Sequence, residues 1–171
     1  MQNTSQSLRA LVASVKKTHM KLESLFVDSF DTFKVFDKLD TQQASLTNNN
    51  SPKSVWQILN HLIIWQDYQI KKLCDNDTKD INEIDTWFAE KVIINQNLLN
   101  EKITKFEKQI EMIKVELTKM TTGQKDIEQK LKIVQDLTVH LSFHLGEIIL
   151  IMRQNGHYPM PSDMKTFLTT E

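Results

Sequence analysis

The stretch Leu137-Thr-Val-His140-Leu-Ser-Phe-His144-Leu-Gly-Glu147 places two histidines four residues apart inside an apolar segment. On an α-helix, residues i and i+4 lie one above the other on the same face. A buried ring nitrogen without a partner costs about 1–3 kcal/mol, so two stacked imidazoles predict a shared metal ion. The histidines belong to a seam that borders a second, almost wholly apolar seam: Ile133, Leu137, His140, His144, Glu147 and Ile151 in the first, and Ile127, Leu131, Val134, Thr138, Leu141, Leu145, Ile148 and Met152 in the second.

The composition favours one helical domain over residues 1–171. Only three glycines and three prolines punctuate the chain, which is typical of a few long helices. A formal net charge of −1 argues against nucleic-acid binding, and no apolar run reaches the ~20 residues of a membrane span. The start of the chain lacks the features of a secretory signal, and Cys74 is the single cysteine. We therefore expect a cytoplasmic protein with neither nucleic acid nor membrane as a partner.

The periodicity of apolar residues predicts four long helices. Steps of three and four continue from Leu99 to Met120 as a coiled-coil-like seam. Ser51-Pro52 resembles an N-cap followed by proline at the first helical position, and Ser54 with Gln57 is an alternative capping box. Polar connections between the helices predict an all-α fold, an antiparallel four-helix bundle with a short C-terminal tail. The predicted helices cover residues 5–33, 52–74, 87–120 and 124–154, and the last ends at Asn155-Gly156.

A third histidine, His61, borders the apolar face of the second helix. If the second and fourth helices are neighbours, His61 can reach His140 and His144. Three histidines with an open fourth position form the catalytic type of zinc site, a type also compatible with nickel or iron. Glu147 is a candidate partner for an imidazole. Asp136 and Gln57, each four residues before a histidine, are further candidates, and His19 is interpreted as a histidine at the edge of the core, with the alternative that it faces the same cavity.

Other interpretations of the bundle remain open at the level of the sequence. A di-iron site would need Glu-x-x-His motifs, and the chain has none. Haem could be held by His61 and one of the other two histidines. The segment 139–152 is apolar on nearly every face, so the fourth helix could form a homodimer interface. A non-catalytic dimeric interaction module is therefore the alternative to a metal-dependent enzyme.

Two motifs resemble those of the DinB-like (damage-inducible) four-helix-bundle superfamily. Ser54-Val-Trp-Gln-Ile-Leu-Asn-His-Leu-Ile-Ile-Trp65 is similar to its second-helix signature, and His140-Leu-Ser-Phe-His-Leu-Gly-Glu-Ile148 to its fourth. The resemblance implies His61, His140 and His144 as ligands of a divalent metal. It also implies a small-molecule substrate and either hydrolase or thiol-S-transferase activity, the latter with a low-molecular-weight thiol such as bacillithiol; a mycothiol-dependent isomerase is another similar protein. Glu147 stands where glutamine is common in the family, and a carboxylate at this position is a candidate base. No other catalytic residue is assigned.

Overall fold

The computed structural model describes residues 32–48, 51–76, 78–87, 89–121 and 123–169. Within these ranges the regular structure is helical and contains no β-strand, which confirms the predicted all-α class. Most of the predicted first helix, residues 5–31 with His19, lies outside the described residues. The described ranges contain five α-helices, in chain order α1 Thr41–Ala44, α2 Val55–Leu73, α3 Gln96–Lys119, α4 Ile127–Gln154 and α5 Met164–Thr169, with 3-10 turns at Thr32–Phe36, Glu83–Thr86 and Pro161–Asp163.

Helix α2 begins with the capping box formed by Ser54 and Gln57. The Ser54 hydroxyl accepts the backbone N–H of Gln57 at 3.2 Å, and the Gln57 side chain accepts the backbone N–H of Ser54 at 3.1 Å. These two bonds satisfy amide groups that the first turn of a helix leaves without partners. The alternative start predicted from the sequence is therefore correct, and the start at Pro52 was wrong.

Helix α3 begins nine residues later than the sequence analysis predicted. The expected start was Trp87, but the helix starts at Gln96, where the Asn95 side chain accepts the backbone N–H of Leu98 at 3.1 Å. Asparagine is among the best N-cap residues, and this cap outweighs the apolar residues that precede it. The 24 residues of α3 give a helix of about 36 Å instead of the roughly 50 Å expected from 34 residues. The coiled-coil-like seam itself is confirmed: Ile103 is partly buried against the core, and the other members are buried, namely Leu99, Phe106, Ile110, Ile113, Leu117 and Met120.

Helix α2 packs against both α3 and α4, so its buried face lies between them. The α2–α4 contact is the one that matters for the histidines, because His61 lies on α2 while His140 and His144 lie on α4. The predicted site depended on α2 and α4 packing against each other, and this packing is confirmed. The core side of α4 follows the two predicted seams closely, with Ile133, Val134, Leu137, Leu141, His144, Leu145, Ile148, Ile151 and Met152 buried.

The opposite side of α4 exposes three large apolar side chains. Val139, Phe143 and Leu150 keep 64%, 69% and 50% of their accessible surface. The helix starts at Ile127, three residues after the predicted start, and ends where Gly156 takes a φ of 74°. Glycine adopts this left-handed conformation without steric cost, so the predicted Asn155-Gly156 stop is correct. Among the described helices, none combines the length and apolar character needed to cross a bilayer.

Candidate metal centre

The three histidines meet between α2 and α4. One ring nitrogen from each of His61, His140 and His144 lies within 4.8 Å of the other two. The closest pair is Nε2 of His61 and Nε2 of His140, 3.0 Å apart. His61 and His144 are buried, with 1% and 7% of their surface exposed, and His140 is half-buried. Neutral imidazoles grouped at this spacing can share one metal ion, so the cluster could form a metal site.

A hydrogen-bond chain fixes the tautomer of His61. The Thr86 hydroxyl lies 2.7 Å from Nδ1 of His61 and donates its single proton to the carbonyl of Glu83 at 2.5 Å. Thr86 Oγ1 must therefore accept a proton from Nδ1 of His61. With Nδ1 protonated, Nε2 of the neutral ring carries a lone pair, and this lone pair is directed at the cluster.

Glu147 fixes the second imidazole in the same way. Its Oε2 lies 3.2 Å from Nδ1 of His144, and its Oε1 accepts the Ser51 hydroxyl at 2.7 Å. An ionised carboxylate can only accept, so Nδ1 of His144 donates and Nε2 is left with its lone pair. Histidines that bind metals usually donate the N–H of the other ring nitrogen to a carboxylate, a backbone carbonyl or a water molecule, and Glu147 supplies such a carboxylate. The candidate role of Glu147 as an imidazole partner is thus matched by its position.

Aromatic rings cover the cluster on two sides. The indole of Trp87 stacks on His61 with ring centroids 3.8 Å apart and planes 10° apart. Trp65 lies edge-on to the same imidazole at 6.3 Å and is 5.5 Å from His140. The ammonium of Lys53 lies over the ring of Trp87, 4.9 Å from the ring centroid. These rings shield His61 from water and hold its ring in one plane, whereas His140 stays half-buried.

The surroundings keep the histidines neutral. Burial, with contributions from His144, His140 and Lys53, lowers the pKa of His61 from 6.5 to about 3. Burial and His144 lower the pKa of His140 to about 4. Burial also lowers the pKa of His144, although Glu147 opposes this shift by stabilising the protonated ring. The lowered pKa values keep all three rings neutral at neutral pH, and a neutral imidazole is the form that binds a metal. Because Nε2 of His61 is the acceptor in its 3.0 Å contact with His140, Nε2 of His140 is the donor and must give up this proton when it binds an ion.

Other residues singled out by the sequence lie elsewhere. Asp136 forms an ion pair with Lys132 at 2.6 Å, and Gln57 donates to the carbonyl of Ala89 at 2.8 Å, so neither orients an imidazole. His157 is exposed and lies 3.2 Å from Gln43, and Cys74 is exposed at the far end of α2. The sequence analysis had missed Thr86, Trp87 and Ser51 as partners of the cluster, because they come from connecting segments with no periodic pattern.

Fold and cluster together define an all-helical chain with a three-histidine arrangement that can hold a metal ion. Comparison of the sequence with protein-family models, with curated proteins and with solved structures gave no match. The resemblance to DinB-like proteins therefore stands on its motif residues alone.

Proposed function

We propose that the chain is a metal-dependent enzyme of DinB-like type, with His61, His140 and His144 as the ligands of one divalent ion. The observation that carries this proposal is the pair of assigned tautomers. Thr86 and Glu147 each hold an Nδ1–H, and each thereby turns an Nε2 lone pair into the cluster. Two independent partners that produce the same result are expected of a built ligand set.

The donor set fits zinc, nickel or iron. Imidazole nitrogen suits all three ions, and three protein ligands leave a further position for water or substrate. When bound, such an ion would acidify a water molecule or hold an anionic sulfur or oxygen. The chain's own residues supply orientation through Thr86 and Glu147, and Trp65 and Trp87 exclude bulk water. This combination supports hydrolysis or thiol transfer on a small molecule.

Metal binding is tested directly on tag-free protein. The metal content is measured by mass spectrometry, and zinc, nickel and ferrous ion are titrated calorimetrically into the metal-free chain. We expect one ion per chain and a loss of most affinity in His61→Ala, His140→Ala and His144→Ala. The control is His157→Ala, which removes an exposed histidine outside the cluster and should leave affinity unchanged.

The same measurement separates the two functional classes. A chain that binds the ion is then screened for hydrolysis and for thiol transfer with bacillithiol as the thiol. Full metal affinity in all three cluster variants would overturn the ligand assignment. No ion in any form, even when all three metals are offered, would favour the non-catalytic dimeric module.

A further inference from the structure

A cleft of about 260 Å³ opens beside the histidine cluster between α2 and α4. His140 lines it, so the cleft and the cluster share a wall. Its volume is close to the lower end of small-molecule sites, which begin near 300 Å³. The lining combines an apolar half with a polar half: Leu62, Leu137 and Leu141 in the first, and Trp65, Gln66, Gln69, Asp136 and His140 in the second.

The polar half of the cleft carries buried groups without partners. In the part of the chain that the structure describes, no hydrogen bond reaches Nε1 of Trp65, Nε2 and Oε1 of Gln66, or Oε1 of Gln69. Gln66 is 2% exposed, so its amide meets neither protein partners nor bulk water. A buried amide without partners is unfavourable, and such a group is completed by a ligand, an ion or an ordered water. Because the last torsion of glutamine is soft, the Gln66 amide can turn towards a ligand in the cleft at little cost.

The inventory of these groups selects the chemistry of the ligand. Gln66 Nε2 and Trp65 Nε1 are donors, whereas Gln66 Oε1 and Gln69 Oε1 are acceptors. A carboxylate would satisfy only the donors and would meet the carboxylate of Asp136 in the lining. An ammonium group only donates and would satisfy only the acceptors, whereas an ester only accepts and would satisfy only the donors. An amide offers N–H groups and a carbonyl together, so it can pair with the Gln66 amide through two hydrogen bonds.

We infer that this cleft is the substrate pocket of the metal centre and that it recognises an uncharged amide attached to a small apolar body. The inference rests on the proposed function, because it assumes that His140 is a metal ligand and that substrate binds in the cleft beside it. Gln66 pairs with the amide, Trp65 and Gln69 complete its hydrogen bonds, and the leucines contact the apolar body.

Benzamide is the probe, with methyl benzoate and benzoate as matched compounds that lack the amide N–H. Binding is followed in metal-free and metal-loaded full-length chain through the indole N–H resonances of its three tryptophans. The Trp65 resonance is assigned with Trp65→Phe, and Trp56, which is buried outside the cleft, provides the internal reference. We expect benzamide to shift the Trp65 resonance saturably, and the ester and the acid to leave it in place.

The variant Gln66→Leu should weaken benzamide binding by at least about tenfold, because two hydrogen bonds are lost. Gln69→Leu should weaken it less and serves as a second test if the first variant does not fold. Gln109→Leu is the control, since Gln109 is equally buried but lies outside the cleft. Equal binding of benzamide and methyl benzoate, an unchanged affinity in Gln66→Leu, or no shift at all would overturn the inference.

Metal affinity is measured on the same variants, which separates this inference from the proposed function. If the pocket assignment alone is wrong, Gln66→Leu and the unmodified chain bind metal equally and neither binds benzamide. If the metal assignment alone is wrong, benzamide still shifts the Trp65 resonance in a chain that takes up no ion.

Discussion

Replacing Gln66 by leucine should stabilise the fold. Both polar atoms of the Gln66 amide are buried without a partner in the described ranges, and the residue is 2% exposed. Protein mutational data put the cost of burying an unpaired amide at about 1–3 kcal/mol, and leucine fills a similar volume without that cost. We therefore expect Gln66→Leu to raise the free energy of unfolding by about 1–3 kcal/mol.

The same substitution at Gln109 should have the opposite sign. Gln109 is 3% exposed, but its Nε2 donates to the carbonyl of Ile63 at 2.9 Å and to Oδ1 of Asp67 at 2.6 Å. Loss of one neutral and one charge-assisted bond costs about 2–4 kcal/mol. Part of this cost is regained, because Oε1 of Gln109 has no partner among the residues that the structure describes. We expect Gln109→Leu to lower the free energy of unfolding by about 1–3 kcal/mol.

Urea unfolding of the metal-free chain, followed by circular dichroism, measures both changes. The midpoints are compared at equal slopes, because a changed slope would indicate a changed denatured state. The comparison uses two glutamines of equal burial, so differences in desolvation largely cancel. A Gln66→Leu variant that is less stable than the unmodified chain by more than about 1 kcal/mol would refute the reasoning, since it would mean that the amide is paired.

Four further predictions follow from the structure. Because the pKa values of His61 and His140 lie at about 3 and about 4 in the folded chain and near 6.5 when unfolded, the unfolded chain binds more protons between these limits. The free energy of unfolding of metal-free protein should thus fall from pH 6.5 to pH 4, by up to about 1.4 kcal/mol per pH unit for each histidine; a flat series of urea midpoints would contradict this. Ser54→Ala should cost about 0.5–2 kcal/mol in the same assay because the α2 cap is lost. Glu147→Ala should weaken metal binding about 10–100-fold in chelator competition, and Glu147→Gln, which keeps an acceptor, should weaken it less. Phe143→Glu should dissociate a homodimer formed through the exposed face of α4, and a monomeric mass of the unmodified chain by light scattering at every concentration would end that hypothesis.

The sequence predicts the parts of this molecule that depend on helical periodicity. The spacing of His140 and His144 follows from 3.6 residues per turn, and the buried seams of α3 and α4 follow from the same period. The same period also predicted that His61 borders the apolar face of α2. Grouping His61 with His140 and His144 required the assumption that α2 and α4 pack against each other. The spacing of residues within one helix cannot predict which helices are neighbours.

The missed features are those that arise from tertiary structure or from competing helix starts. Thr86 and Trp87 lie 25 and 26 residues after His61, in a connection whose path is set by packing. Their sequence neighbours give no periodic signal that would direct them to the cluster. The start of α3 was placed too early, at Trp87, because the sequence analysis did not identify Asn95 as the N-cap.

Protons and metal ions compete for the same nitrogens in this cluster, and the surroundings disfavour the proton. Burial lowers the pKa of His61 to about 3 because an isolated imidazolium is poorly solvated there. A divalent ion also loses water when it enters the cluster, but three nitrogens bind it at once and replace that water. A proton binds to only one nitrogen. The only carboxylate bonded to a cluster imidazole among the described residues is Glu147, so a bound ion would keep a net positive charge, and Lys53 over Trp87 adds to it. An open position in such surroundings favours an anionic ligand, whereas the cleft on the His140 side suits an uncharged amide. One molecule can satisfy both the metal position and the cleft only if it carries its anionic group and its amide at different places.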